Sequence, residues 1–78
     1  MLTLMANLAV TYSDQGRTDE AAVLQEEVLQ KRRRILGEEH PNTLTSMANL
    51  AVTYRDQGRT GEAVALEEEV LQKRKQLG

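Results

Sequence analysis

Residues 7–21 read NLAVTYSDQGRTDEA, and residues 49–63 read NLAVTYRDQGRTGEA. Sliding the chain along itself by 42 places aligns Leu2 with Leu44 and makes about 25 of 36 overlapping positions identical, the mark of a repeat array whose unit is one supersecondary element. The identities fall where a helix needs them. Met5, Leu8, Ala9 and Tyr12 match Met47, Leu50, Ala51 and Tyr54, an i, i+3, i+4, i+7 stripe that lines one helical face. Strict alternation fails across Ala9 and Val10, so the threonines and valines of LAVTY do not make a strand.

Beyond the first helix of each unit, Gly16 and Gly58 open RTDEA and RTGEA. Thr18 and Thr60 are placed to be N-caps, with Glu20 and Glu62 in a first turn whose dipole favours a carboxylate. The second helix carries two apolar stripes, Ala21, Leu24, Val28, Ile35 and Ala22, Leu29, Leu36. That face is wider than one neighbour requires, so this helix is expected to lie between two others. Its charges run from Glu20, Glu26 and Glu27 to Lys31, Arg32, Arg33 and Arg34, matching the dipole, with Glu27–Lys31 and Glu69–Lys73 as i, i+4 pairs. Gly37 ends it, and GEEHPNT supplies a turn with Pro41 at the first position of the next helix. Four helices are expected, near 2–15, 18–36, 41–57 and 60–76. Gly61 replaces Asp19 in the first turn of the last helix and loosens it by up to roughly 1 kcal/mol. Tyr12 and Tyr54, the only aromatic residues, are expected at the hairpin interface beside the DQG turn.

Composition narrows the function classes. The 78 residues suffice for a single repeat domain over 1–78, with a small core and marginal stability. A net charge of −2 gives no general attraction to nucleic acid or to an anionic membrane. Cysteine is absent, which suits a reducing, cytoplasmic setting, and no apolar run approaches the length of a membrane span. EEVLQKRRR recurs as EEVLQKRK at a helix C-terminus and reads as a solvated, dipole-matched face rather than a nucleic-acid patch. His40, the one histidine, has no second His or Cys to share a metal. Nothing pairs a nucleophile with a base or cradles a phosphate, so neither an enzyme nor a cofactor is expected.

The stripe and turn together carry a family likeness. Asn7, Leu8, Ala9, Tyr12, Glu20 and Ala21, repeated as Asn49, Leu50, Ala51, Tyr54, Glu62 and Ala63, resemble the signature of tetratricopeptide repeats. The joint LGEEHPNTL, the DQGR turn and the 42-residue spacing resemble in particular the long repeats of kinesin light chains and of sensor arrays in immune-type receptors. Met5 and Met47 stand in place of the commoner aromatic. The resemblance implies an all-α fold of two antiparallel helix-hairpin repeats, stacked as a right-handed solenoid fragment. It also implies a concave groove for a protein or peptide, with Asn7 and Asn49 either clamping the ligand's backbone or making a helix–helix or loop hydrogen bond within the fold. A carboxamide's donor and acceptor match one peptide unit without reading its side chain. Helical spacing brings Thr3, Val10, Ser13 and Asp14 to the side of Asn7, and Thr45, Val52, Arg55 and Asp56 beside Asn49. Members of the family that clamp a carboxylate use Lys and Arg on the first helix, and here only Arg55 could do so.

A rival reading is a self-assembling structural unit. The first helix lacks the HPNT lead of the second copy, and no polar helix follows the last one, as in an excised or designed piece of a longer array. Leu4 and Leu8 at one end, and Val64, Leu71 and Leu77 at the other, are then expected to meet head to tail in a second molecule, the alternative being exchange of a hairpin between two chains about a hinge from Gly37 to Pro41.

Overall fold

A computed structural model describes residues 2–77, with side chains through residue 75. Four helices follow in order: α1 Leu2–Asp14, α2 Thr18–Leu36, α3 Pro41–Asp56 and α4 Thr60–Leu77. No strand occurs among the described residues. Each helix packs on its chain neighbour, α1 on α2, α2 on α3 and α3 on α4. Two antiparallel hairpins result, joined through α2 and α3, and α2 has helices on two sides.

Within each hairpin the chain reverses through a glycine at positive φ, Gly16 at 79° and Gly58 at 81°, a conformation that a Cβ penalises. The next residue then closes the turn. The Arg17 N–H donates to the Tyr12 carbonyl at 2.8 Å, and Arg59 repeats the bond to Tyr54 at 2.8 Å. Their guanidinium groups lie over the same tyrosine rings, 4.3 Å and 4.0 Å from the centroids, and their Nε atoms donate to Glu20 at 2.8 Å and Glu62 at 2.9 Å. These contacts correct the expected caps. Arg17 occupies the N-cap position of α2 without a side-chain cap bond, and its carbonyl accepts from Ala21 N–H as that of Arg59 accepts from Ala63. Thr18 and Thr60 are the first helical residues instead, because the arginine has taken over both the turn and the first-turn carboxylate. Hydrogen bonding to the arginine holds each of Glu20 and Glu62 below the usual carboxylate pKa.

At the joint between hairpins, Gly37 has φ 98° and its N–H donates to the Arg33 carbonyl. His40 then caps α3: its Nδ1 accepts from Asn42 N–H at 3.1 Å, with Pro41 starting the helix. This cap satisfies one of the first-turn donors that no intrahelical carbonyl can reach.

The core runs from Ala22 and Leu29 of α2 through Leu44, Met47, Leu50, Ala51 and Tyr54 of α3 to Ala63 and Val70 of α4, with Leu66 packed against it. Tyr54 is buried and donates from its hydroxyl to Glu26 Oε2 at 2.6 Å. Burial, and then this bond to a carboxylate, push its pKa up to about 12. Tyr12 is only half-buried, so the two tyrosines share a place in the hairpin but not an environment. Gln57 Nε2 to Asp19 at 2.7 Å and Arg33 to Glu69 at 3.1 Å also tie the copies together. Glu69 and Glu38 both pair with Lys73, at 2.6 and 3.2 Å. Burial alone lowers the Lys73 pKa, but these two bonds outweigh it and the net shift is upward. The Glu27–Lys31 pair forms at 3.6 Å on an exposed surface, where such a contact contributes at most about 0.5 kcal/mol.

One end of the α2 stripe departs from expectation. Ala21, Ala22, Val28 and Leu29 are buried, whereas Ile35 and Leu36 are exposed. With 19 residues against 13, α2 overshoots the described α1 by about 9 Å at 1.5 Å per residue, so among the described residues its last turn has no α1 surface to cover it.

Candidate interaction cleft

Where α1, α2 and α3 converge they enclose a cleft of about 130 Å³. Asn7 and Val10 enter it from α1 together with Ala6, and Asn49 enters from α3 with Ser46. Val28, Gln25 and Arg32 form the α2 side. The cleft therefore brings together Asn7, Val10 and Asn49 of the expected groove, drawn from both copies of the repeat. Thr3, Asp14, Thr45, Val52, Arg55 and Asp56 are exposed and do not line it. The Thr45 hydroxyl donates back to the Pro41 carbonyl at 3.0 Å, and the Arg55 guanidinium is held by Glu67. Arg55 is thus paired within its own chain on an exposed surface.

Neither the Asn7 nor the Asn49 carboxamide has a hydrogen-bond partner among the described residues; only their backbone carbonyls are used, by Thr11 at 3.2 Å and Thr53 at 3.3 Å. Gln25 adds a buried side-chain oxygen that also has no partner. Arg32 is oriented from below: its Nη1 donates to Ser46 Oγ at 2.5 Å and to the Asn42 carbonyl at 3.4 Å. No carboxylate among the described residues lies within ion-pair reach of it. A half-buried cation, three carboxamides and two valines thus face one space.

Sequence reasoning missed Gln25, Ser46 and Arg32. A signal was present, since Gln25, Val28 and Arg32 are spaced i, i+3, i+7 and share a face, and Val28 was already in the apolar stripe. EEVLQKRRR is accordingly not one solvated face. Lys31 and Arg34 are exposed, while Arg32 turns to the cleft and Arg33 to Glu69.

Antiparallel helix hairpins repeated at a fixed interval, with a cleft built from successive units, define a helical-repeat scaffold of the kind on which other proteins dock. The tetratricopeptide repeat family model matches residues 1–76, and the chain belongs to that family, whose repeats are in general non-enzymatic protein-interaction modules. A comparison with curated proteins gave no match. No helix among the described residues is long and apolar enough to cross a membrane.

Proposed function

We propose that the cleft between α1, α2 and α3 binds an extended peptide segment carrying an acidic side chain or a terminal carboxylate. The observation that carries this reading is the convergence of Asn7 and Asn49, both without internal partners, on a space that Arg32 also faces. The two carboxamides pair with the ligand's backbone, and Val10 and Val28 offer apolar contact. Arg32 supplies the one charge-assisted bond, to the acid. Its Ser46 and Asn42 contacts hold it in place, so less side-chain entropy is lost on binding. The 42-residue spacing and the LGEEHPNTL joint support placing the chain in the long-repeat class that resembles kinesin light chains, and the lack of cysteine suits work in a reducing compartment such as the cytoplasm.

The test is selection from a displayed library of unstructured dodecapeptides, followed by titration of the best binder. Acid-containing sequences are expected to be enriched. Asn7→Ala and Asn49→Ala should each weaken the binder by about 1 kcal/mol, the worth of a neutral hydrogen bond, and Arg32→Ala by about 2 kcal/mol, with the fold unchanged. Wild-type affinity in all three variants would overturn the reading.

A further inference from the structure

The molecule contains one worked example of a repeat-to-repeat contact, the junction where the outer face of α2 receives α3. Shifting that junction by 42 residues copies each half onto a surface that nothing covers among the described residues. Ala22 and Leu29, 2% and 5% exposed, become Val64 and Leu71, 40% and 54% exposed. Leu50, 2% exposed, becomes Leu8, 43% exposed. The bare outer face of α4 is therefore a near-copy of the α2 surface, and the bare face of α1 is a near-copy of the α3 surface that covers it. We propose that a second copy of this chain docks its α1 on the outer face of α4 in the register of the internal α2–α3 junction.

The polar ties of the junction decide whether the copy is a usable one. Tyr54 to Glu26 maps onto Tyr12 of one molecule and Glu68 of the other, with both residue types kept. Arg33 to Glu69, which ties α2 to α4 beside the junction, maps onto Lys75 of α4 and Glu27 of the second molecule's α2, with both signs kept. The Tyr12 hydroxyl, Glu68 and Lys75 have no side-chain partner among the described residues. Gln57 to Asp19 maps onto Gln15 and Gly61 and is lost. Arg32 to Ser46 maps onto Arg74 and Leu4, which exchanges a hydrogen bond for a leucine that is 70% exposed in the single chain. Of the four ties the copied contact keeps two, the tyrosine–glutamate bond and one ion pair, and it loses two while gaining apolar surface at Leu4 and Val64. Its two sides differ, so each added molecule presents the same free face again and assembly is open-ended. Leu77, expected at this surface, has a side chain outside the described residues, and the contact does not depend on it.

Sedimentation equilibrium from about 10 µM to about 1 mM tests it by mass action. The average mass of the wild-type chain should rise from 8.8 kDa to at least about twofold and continue without a plateau at two chains. Leu71→Glu blocks one face and Leu8→Glu the other, so each variant alone should stay at one chain with wild-type helicity. Mixed, they should give a 1:1 complex, because each retains the face that the other has lost. Should Leu8→Glu lower helicity, Leu4→Glu replaces it in the mixture. A wild-type mass fixed at one chain, a plateau at a closed dimer, or a mixture that stays monomeric would each overturn the proposal.

Discussion

Met5, Leu8, Ala9 and Tyr12 of α1 are the same residue types, in the same spacing, as Met47, Leu50, Ala51 and Tyr54 of α3. In α3 all four are buried; in α1 only Ala9 is. The α3 helix has α2 on one side and α4 on the other, whereas among the described residues α1 packs extensively only on α2. Burial in a repeat stack is thus set by the number of neighbours a helix has, and identical residues take on different energetic weight. An apolar stripe states which face can be covered but not whether a neighbour is present to cover it.

The largest expected effect tests this difference directly. Leu50→Ala opens a cavity at a position enclosed on all sides and should cost about 3 kcal/mol, while Leu8→Ala, on a face half open to water, should cost about 1 kcal/mol or less. Urea unfolding of both variants at a concentration where the wild type is monomeric measures the pair. Equal costs would break the comparison and place α1 in a fuller environment than a single α2 neighbour provides.

Alkaline pH sharpens it next, through the buried Tyr54, with Lys73 losing the contribution of its own raised pKa in the same range in wild type and Tyr54→Phe alike. The Tyr54 pKa is raised to about 12 in the folded chain from about 10 in an unfolded one. Because the protonated phenol is the form the fold favours, its contribution is complete below pH 10 and is lost as pH climbs from about 10 to about 12. That contribution is of the order of 2 kcal/mol. Stability followed by urea unfolding across this window should fall in the wild type and fall less steeply in Tyr54→Phe, and parallel curves would show that Tyr54 ionises freely in the fold.

The smallest effect concerns the two second helices rather than the two first ones. Gly61 of α4 stands where α2 has Asp19, and a Cβ added there meets nothing within 4 Å. Gly61→Asp restores helix propensity and a first-turn negative charge and should stabilise the chain by about 0.5–1 kcal/mol. A melting temperature unchanged or lowered would show that the start of α4 is already as ordered as that of α2.

Much of the fold was legible because the repeat states each instruction twice. The apolar stripes, the glycines at positive φ and Pro41 at the head of α3 are local signals, readable from spacing and residue type. What escaped were contacts made by polar side chains over distance or in place of a commoner partner. Thr18 and Thr60 had the composition of caps, but Arg17 and Arg59 could bond the preceding tyrosine carbonyl, the tyrosine ring and the following glutamate together. His40 capped α3 through a ring nitrogen, a role that its residue type seldom announces. For the cleft, helical spacing could put Asn7 beside Val10, but only the packing of α2 against α3 decides that Asn49 and Arg32 meet them and that Thr3 or Asp56 do not.

The arginine-tyrosine-glutamate contacts at the two turns also bear on how the chain reaches its structure. Each set closes within about nine residues, so little loop entropy is lost in forming it. The α2–α3 junction, by contrast, joins side chains 28 and 38 positions apart. Contacts of short separation form early, and helical chains dominated by them fold in microseconds to milliseconds. Because the clasp occurs in both copies, each hairpin carries its own set of short-range contacts, while the bonds from Tyr54 to Glu26 and from Gln57 to Asp19 that join the hairpins are of long separation.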